Sequence, residues 1–199
     1  MAAGSGDRFG RPKSSIDLSG RPMWRWAFDA LESGGCDDVV VVGDVPGGVP
    51  GGVRRRDSVA AGLALAPAGT TYVLVHDAAR PLASGDLVRR VIERLRVGDV
   101  GAVVPSIAVR DTLKHVSGEA VDRTIDRADL VVAQTPQGFT LEALVRGHSD
   151  DDADATDDAA LVERSGGSVV IVPGEDHNLK VTYPGDLAVA EALAEGLAP

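Results

Sequence analysis

Unbroken runs of β-branched residues alternate with stretches of helical period along this chain. "VVVVG" (Val39–Gly43), "TYVLVHDAARP" (Thr71–Pro81), "VGAVVPSI" (Val100–Ile107) and "SVVIVPG" (Ser168–Gly174) each hold a continuous apolar run. That is the pattern of strands covered on both faces in a parallel sheet. Between them the spacing predicts helices over Met23–Ser33, Ser58–Ala66, Gly85–Arg96, Leu141–Arg146, Asp157–Ser165 and Gly185–Leu197. Strand alternating with helix predicts an α/β fold, doubly wound around a mostly parallel sheet.

One stretch departs from that rhythm. From Val109 to Phe139 polar and apolar residues alternate around the turn signal Ser117-Gly118-Glu119. This predicts an antiparallel arm at about residues 108–135, wet on both sides. A long exposed ribbon is unstable alone and packs on something, here a second copy of the chain, so the expected assembly is a homodimer through the arm. No repeat or linker interrupts residues 1–199, which are expected to form one domain. The segment "SDDDADATDDAALVE" lacks the ligand spacing of a calcium loop. It reads as a solvated loop ending at a helix that Thr156 caps, with Asp157 and Asp158 against the helix's positive end.

Charge narrows the function. The chain carries 20 basic and 30 acidic residues, a net charge of −10, which argues against a nucleic-acid or anionic-membrane surface. A polyanionic ligand would have to be held by a few basic residues gathered at one place. Cys36 is the sole cysteine, a small core filler by preference, and no run approaches the ~20 apolar residues of a membrane span. A cytoplasmic location is the simplest expectation. Aromatic residues make up only 4% of the chain, so Ala, Val and Leu must do most of the packing.

The chemistry-bearing residues begin at the first residues of the chain. "AAGSGDRFGRPK" supplies a turn rich in backbone N–H groups, followed by Arg8 and Lys13, the makings of a phosphate cradle. Its spacing matches neither the Walker loop nor the dinucleotide fingerprint. Only three of the basic residues are Lys: Lys13, Lys114 and Lys180. His76, at a strand end, reads as a structural imidazole.

Five segments, "AAGSGDRFGRPK", "GGVRRRDSVAAGL", "VHDAARP", "TIDRADLVVAQTPQGF" and "NLKVTYPGDLAVAE", run in order over nearly the whole chain. Together they resemble the 2-C-methyl-D-erythritol 4-phosphate cytidylyltransferases of the non-mevalonate isoprenoid pathway. The related ribitol-5-phosphate cytidylyltransferases share much of the set. The resemblance implies a nucleotidyltransferase fold and transfer of a cytidylyl group from CTP to the sugar phosphate with release of pyrophosphate. The alternatives are another polyol phosphate as acceptor, or a non-catalytic dimeric relative. Residue by residue, the resemblance makes Arg8 and Lys13 stabilise the transition state, while Ala2, Ala3, Gly4, Gly52, Arg55, Ser58 and Ala78 hold the nucleotide. Asp77, Arg80, Thr112, Thr135 and Lys180 face the sugar phosphate, and Arg127 reaches it from the partner subunit's arm. It also implies Mg²⁺, held mainly by the CTP phosphates rather than by a protein metal site. From the residues alone, Asp77 and Arg80 can instead pair with one another, and Arg127 can be one more solvated charge.

Two departures from the family pattern are expected to show in the fold. A hydrophobic strand before the "AAG" turn, central in the family's sheet, is missing from this sequence; the reading of the sequence is that the native chain starts further upstream. Between Gly43 and Ser58, "DVPGGVPGGVRRR" is too short for a further helix and strand. A smaller departure is "PKSSIDL", where the family prefers a Gln-aromatic pair after the Lys.

Overall fold

A computed structural model describes residues 1–3, 9, 16–149 and 155–197. Arg8 and Lys13, and with them Gly4, lie outside the described residues. In chain order the elements are β1 (Asp17–Leu18), β2 (Arg21–Pro22), α1 (Met23–Ser33), α2 (Arg55–Leu63), β3 (Tyr72–Val75) and α3 (Gly85–Arg96). There follow β4 (Ala102–Ala108), β5 (Leu113–Ser117), β6 (Ala120–Ile125), β7 (Val131–Ala133), β8 (Gln137–Thr140), α4 (Leu141–Gly147), α5 (Asp158–Arg164), β9 (Val169–Pro173) and α6 (Pro184–Leu197).

The helices match the sequence expectation closely. α2 begins three residues early because the Arg54 backbone N–H donates to the Asp57 carboxylate at 3.0 Å, so the helix starts inside the basic cluster. At α5 the cap is Asp157, not Thr156: its carboxylate accepts the Ala160 N–H at 3.0 Å. The leading apolar faces converge on a core around Phe139, Leu144, Val104 and Val162, with a neighbouring cluster of Val91, Leu95 and Val103 under α3.

The sheet corrects the expectation of a mostly parallel one. Of four pairings in the main sheet, β3 with β8, β8 with β4 and β7 with β4 are antiparallel, and only β4 with β9 is parallel. The cause is the segment that returns from the arm. β7 and β8 run along one side of β4, with β9 on its other side. From Val103↔Gly138 to Ser106↔Ala133, β4 advances three residues while its partner spends five. The extra residues form a bulge at Gln134–Pro136. β8 then slots between β4 and β3, and Gly138 explains how closely α3 covers it: a Cβ there would stand 2.5 Å from Val91 Cγ1 and 2.7 Å from Leu95 Cδ1.

The run Val39–Gly43 forms no named strand. Val42 makes a single parallel bridge to Val49, which returns through the short Pro- and Gly-rich loop. A strand needs a ladder, and this run faces a cleft of about 490 Å³ that separates Val39, Val40 and Val42 from β3. Met1 lines the cleft, and Ala2 adjoins it. The Met1 amine donates to the His76 carbonyl at 2.6 Å, Ala78 N–H donates to the Met1 carbonyl at 2.9 Å, and Ala2 N–H donates to the Val42 carbonyl at 2.6 Å. Met1 and Ala2 are thus tied to both sides of the cleft. β5 and β6 form a two-stranded sheet of their own, joined at Gly118 and exposed almost throughout, as the alternation predicts.

Candidate active site

The chain leaves β3 at Val75, and the next residues gather charge. Asp77 Oδ2 accepts a hydrogen bond from Lys180 Nζ at 2.7 Å, and Asp77 Oδ1 lies 3.6 Å from Arg55 Nη2. Burial alone would raise the Asp77 carboxyl pKa, but the Lys180 and Arg55 cations outweigh it and hold the group well below the usual carboxylate range. Asp77 is thus an anion fixed between two cations contributed by distant parts of the chain.

Beside it the bulge delivers Thr135. Its hydroxyl oxygen accepts from the Asp77 N–H at 3.1 Å and lies 2.8 Å from His76 Nδ1. Burial first, then the positive Met1 amine, pushes His76 down to about 3, so the imidazole is neutral at neutral pH. That agrees with its reading as a structural group. Asn178 Nδ2 donates to the Thr135 carbonyl at 2.9 Å and to Gln134 Oε1 at 3.2 Å, while Gln134 Nε2 donates to the Glu175 carbonyl at 2.8 Å. The bulge is therefore tied to the loop that carries Lys180. Arg80 does not pair with Asp77. It donates to the carbonyls of Asn178 at 2.8 Å and Ala133 at 3.2 Å, fastening the same loop to the end of β7.

On the other side stands the start of α2. Gly52 N–H donates to Ser58 Oγ at 3.0 Å, folding the glycine segment back over the helix. A Cβ on Gly51 would come within 2.4 Å of Ala3 Cβ and 2.9 Å of Ser58 Oγ, so only glycine lets the two loops pass. A cavity of about 400 Å³ opens here, with Ala3, Gly43, Pro50, Gly51 and Gly52 in its lining.

The molecule resembles known proteins along its length. The family model for IspD, 2-C-methyl-D-erythritol 4-phosphate cytidylyltransferase, matches residues 1–195. The chain belongs to this family. A protein of that description from Rhodococcus jostii is 47% identical over 211 residues, covering 98% of this chain and 92% of the relative. A bifunctional IspD/IspF enzyme of Granulibacter bethesdensis is 42% identical, and there this chain spans 54% of the longer protein. The crystal structure of the Thermus thermophilus cytidylyltransferase superposes with a TM-score of 0.81 at 38% identity, covering 92% of this chain and 94% of that one. The family is one of cytidylyltransferases, enzymes that transfer a nucleotidyl group.

Of the residues that the cytidylyltransferase pattern singles out, Ala2, Ala3, Gly52, Arg55, Ser58, Asp77, Ala78, Arg80, Thr135 and Lys180 come together around the end of β3 and the start of α2. Ala78 has its N–H engaged by Met1, so its carbonyl and Cβ are what it can offer. Thr112 and Arg127 do not join the cluster. Thr112 is exposed at the foot of the arm, and Arg127 donates to the carbonyls of Val109, at 2.9 Å, and Arg110. The sequence reading missed Asp158, His148, Gln134 and Asn178. The sequence sets Asp158 against the positive end of the helix and gives it no part in the site, yet it is fully buried. Its signal was position: it sits one residue past the cap, at the start of a helix with an apolar face. Cys36, partly buried, has its thiol pushed up to about 11 by burial and by Asp37, which suits packing rather than reaction. No helix among the described residues is long and apolar enough to cross a membrane.

Proposed function

We propose that this chain transfers the cytidylyl group of CTP to 2-C-methyl-D-erythritol 4-phosphate, with the Asp77 cluster as the acceptor side of its site and the Gly52–Ser58 corner as the nucleotide side. The observation that carries the reading is Asp77, held ionised between Lys180 and Arg55 beside the Thr135 hydroxyl. A fixed carboxylate and a hydroxyl suit the hydroxyls of a polyol, and the cations suit phosphate. An oxygen of the acceptor phosphate forms a bond to the α-phosphorus of CTP while the bond from that phosphorus to the β-bridging oxygen breaks, and pyrophosphate departs. The attacking phosphate is already anionic, so the chain need not provide a nucleophile or a strong base. It must orient two anions and stabilise charge on the α-phosphoryl oxygens. Arg8 and Lys13 supply that charge, and the backbone at Ala2, Ala3 and Gly4 with Gly52, Arg55, Ser58 and Ala78 holds the cytidine and triphosphate. Arg80 and Thr112 serve the acceptor side, and Arg127 completes it from the arm of a partner subunit in a homodimer.

Held by the triphosphate, Mg²⁺ would offset its charge. Among the described residues no group of three or more His, Cys, Asp or Glu gathers to hold a resident ion, and both Asp77 oxygens already face cations. The test is pyrophosphate release from CTP with methylerythritol phosphate or ribitol 5-phosphate as acceptor. Methylerythritol phosphate should be preferred, and Asp77→Asn should lower kcat/KM for it by about a hundredfold, the cost of misplacing a bound reactant. Full turnover by Asp77→Asn would remove the cluster from the acceptor site.

A further inference from the structure

Asp158 is fully buried in the first turn of α5, far in sequence from the residues discussed above, and has no place in the chemistry so far described. Each of its carboxylate oxygens has a specific partner. Oδ2 accepts a hydrogen bond from Arg55 Nη1, and Oδ1 lies 2.9 Å from His148 Nε2. The backbone of His148 is held in turn, because Arg56 Nη2 donates to its carbonyl at 2.9 Å. Two successive arginines at the start of α2 thus grip the segment between α4 and α5.

Arg55 stands between the buried Asp158 carboxylate and the largely covered Asp77 carboxylate. Nη1 is on Asp158 and Nη2 is 3.6 Å from Asp77. Burial alone would lower the guanidinium pKa, but Asp158 and then Asp77 more than reverse this, so Arg55 stays firmly charged. Together Asp158, Arg55, Asp77 and Lys180 form a chain of alternating sign and no net charge. Such a chain fixes direction rather than adding attraction. A long flexible arginine that is pinned before ligand arrives does not lose its rotamer freedom on binding, which favours affinity.

We infer that Asp158, backed by His148, is a positioning residue that orients the Arg55 guanidinium toward the nucleotide side of the site. The inference rests on the reading above that Arg55 contacts nucleotide. Asp158 acts on catalysis only through Arg55. Its loss should therefore appear in the response to CTP and not in the response to the acceptor, and only while Arg55 is present.

Steady-state pyrophosphate release by four purified variants tests this: Asp158→Asn, His148→Gln, Arg55→Ala, and the double variant Arg55→Ala/Asp158→Asn. Asp158→Asn should raise the KM for CTP about tenfold, with the KM for methylerythritol phosphate unchanged, as expected of a small misplacement of one binding group. In the Arg55→Ala background the same substitution should add less than about twofold, the non-additive result of residues acting as a unit. Additive losses would overturn the inference, since Asp158 would then act on the fold and not through Arg55. An unchanged KM for CTP in Asp158→Asn would overturn it as well. Should Asp158→Asn fail to melt cooperatively by circular dichroism, His148→Gln reads the same link from its far end. It should raise the KM for CTP about threefold, and no change there overturns the inference. A fully active Arg55→Ala would instead remove Arg55 from the nucleotide site, sinking the underlying reading and this inference with it. An impaired Arg55→Ala beside a normal, folded Asp158→Asn would sink the inference alone.

Discussion

His76 illustrates how a residue at the edge of a candidate site can govern stability instead. In the folded chain it stays neutral down to about pH 3, whereas the unfolded imidazole takes a proton below its ordinary 6.5. The unfolded state therefore binds more protons between those limits, and folding stability falls as pH drops through that window. Above pH 6.5 the contribution is present in full. One proton of difference corresponds to up to about 1.4 kcal/mol per pH unit. Asp77, also depressed, loses its contribution mainly below its unfolded value of 3.8, but the buried Met1 amine, lowered from 8.0, titrates in the same window, so the histidine is isolated by comparison with His76→Gln above pH 4. Thermal melts from pH 7.5 to pH 4.2 should show a steeper fall in Tm for the unaltered protein than for His76→Gln. Parallel curves would mean that His76 is protonated in the folded state.

At the scale of elements, the arm and the return from it are the distinctive pieces. The return carries the site: Gln134, Thr135, Gln137 and Phe139 each face a different neighbour, from the Glu175 loop to the hydrophobic core, with Gln137 Nε2 donating to Asp157 at 2.7 Å. The arm carries exposed apolar residues, Val116 and Val121 on the hairpin and Val131 and Val132 on β7, which a second copy would cover. If Arg127 serves the neighbouring subunit, Arg127→Ala and Lys13→Ala place both defects in the same site of a mixed dimer and leave the other site intact. Each variant alone should be nearly inactive. After random subunit exchange, half the dimers are mixed and hold one intact site of two, so about a quarter of full activity should return. No recovery after exchange verified by native mass spectrometry would place Arg127 outside the partner's site.

For the whole molecule, the site is assembled from segments at both ends of the chain and between: Ala2, the Gly52–Ser58 corner, Asp77, Thr135, Asp158 and Lys180. No local piece contains it, so nucleotide should stabilise the entire fold at once. At a CTP concentration a hundred times its Kd, in the presence of Mg²⁺, the stabilisation should be about 2.7 kcal/mol. Calorimetry should show one transition moving upward. Two transitions, with only one responding to CTP, would mean that the site folds as a separate unit.

The sequence by itself determined the helices, the exposed hairpin and much of the candidate cluster. These are properties of local pattern: Gly85–Arg96 shows its apolar face at helical spacing, and the hairpin alternates around Ser117-Gly118-Glu119. The motif residues at Arg55, Asp77, Thr135 and Lys180 were also visible, since each lies in a recognisable short segment. Tertiary structure decided the rest. Val39–Gly43 looks like a strand, but pairing belongs to neighbours, and across the cleft it forms no ladder with β3. Gln137–Thr140 does not look like a central strand, yet the bulge at Gln134–Pro136 feeds it between β3 and β4 and makes the sheet mainly antiparallel. Asp158 shows the same limit at a single residue. The aspartate-rich segment reads as a solvated loop leading to a helix with Asp158 at its positive end, and only the approach of Arg55 from α2 and His148 from the end of α4 makes that carboxylate a buried one. Local periodicity cannot report which charge will be brought to which, because that depends on chain crossings far away in sequence.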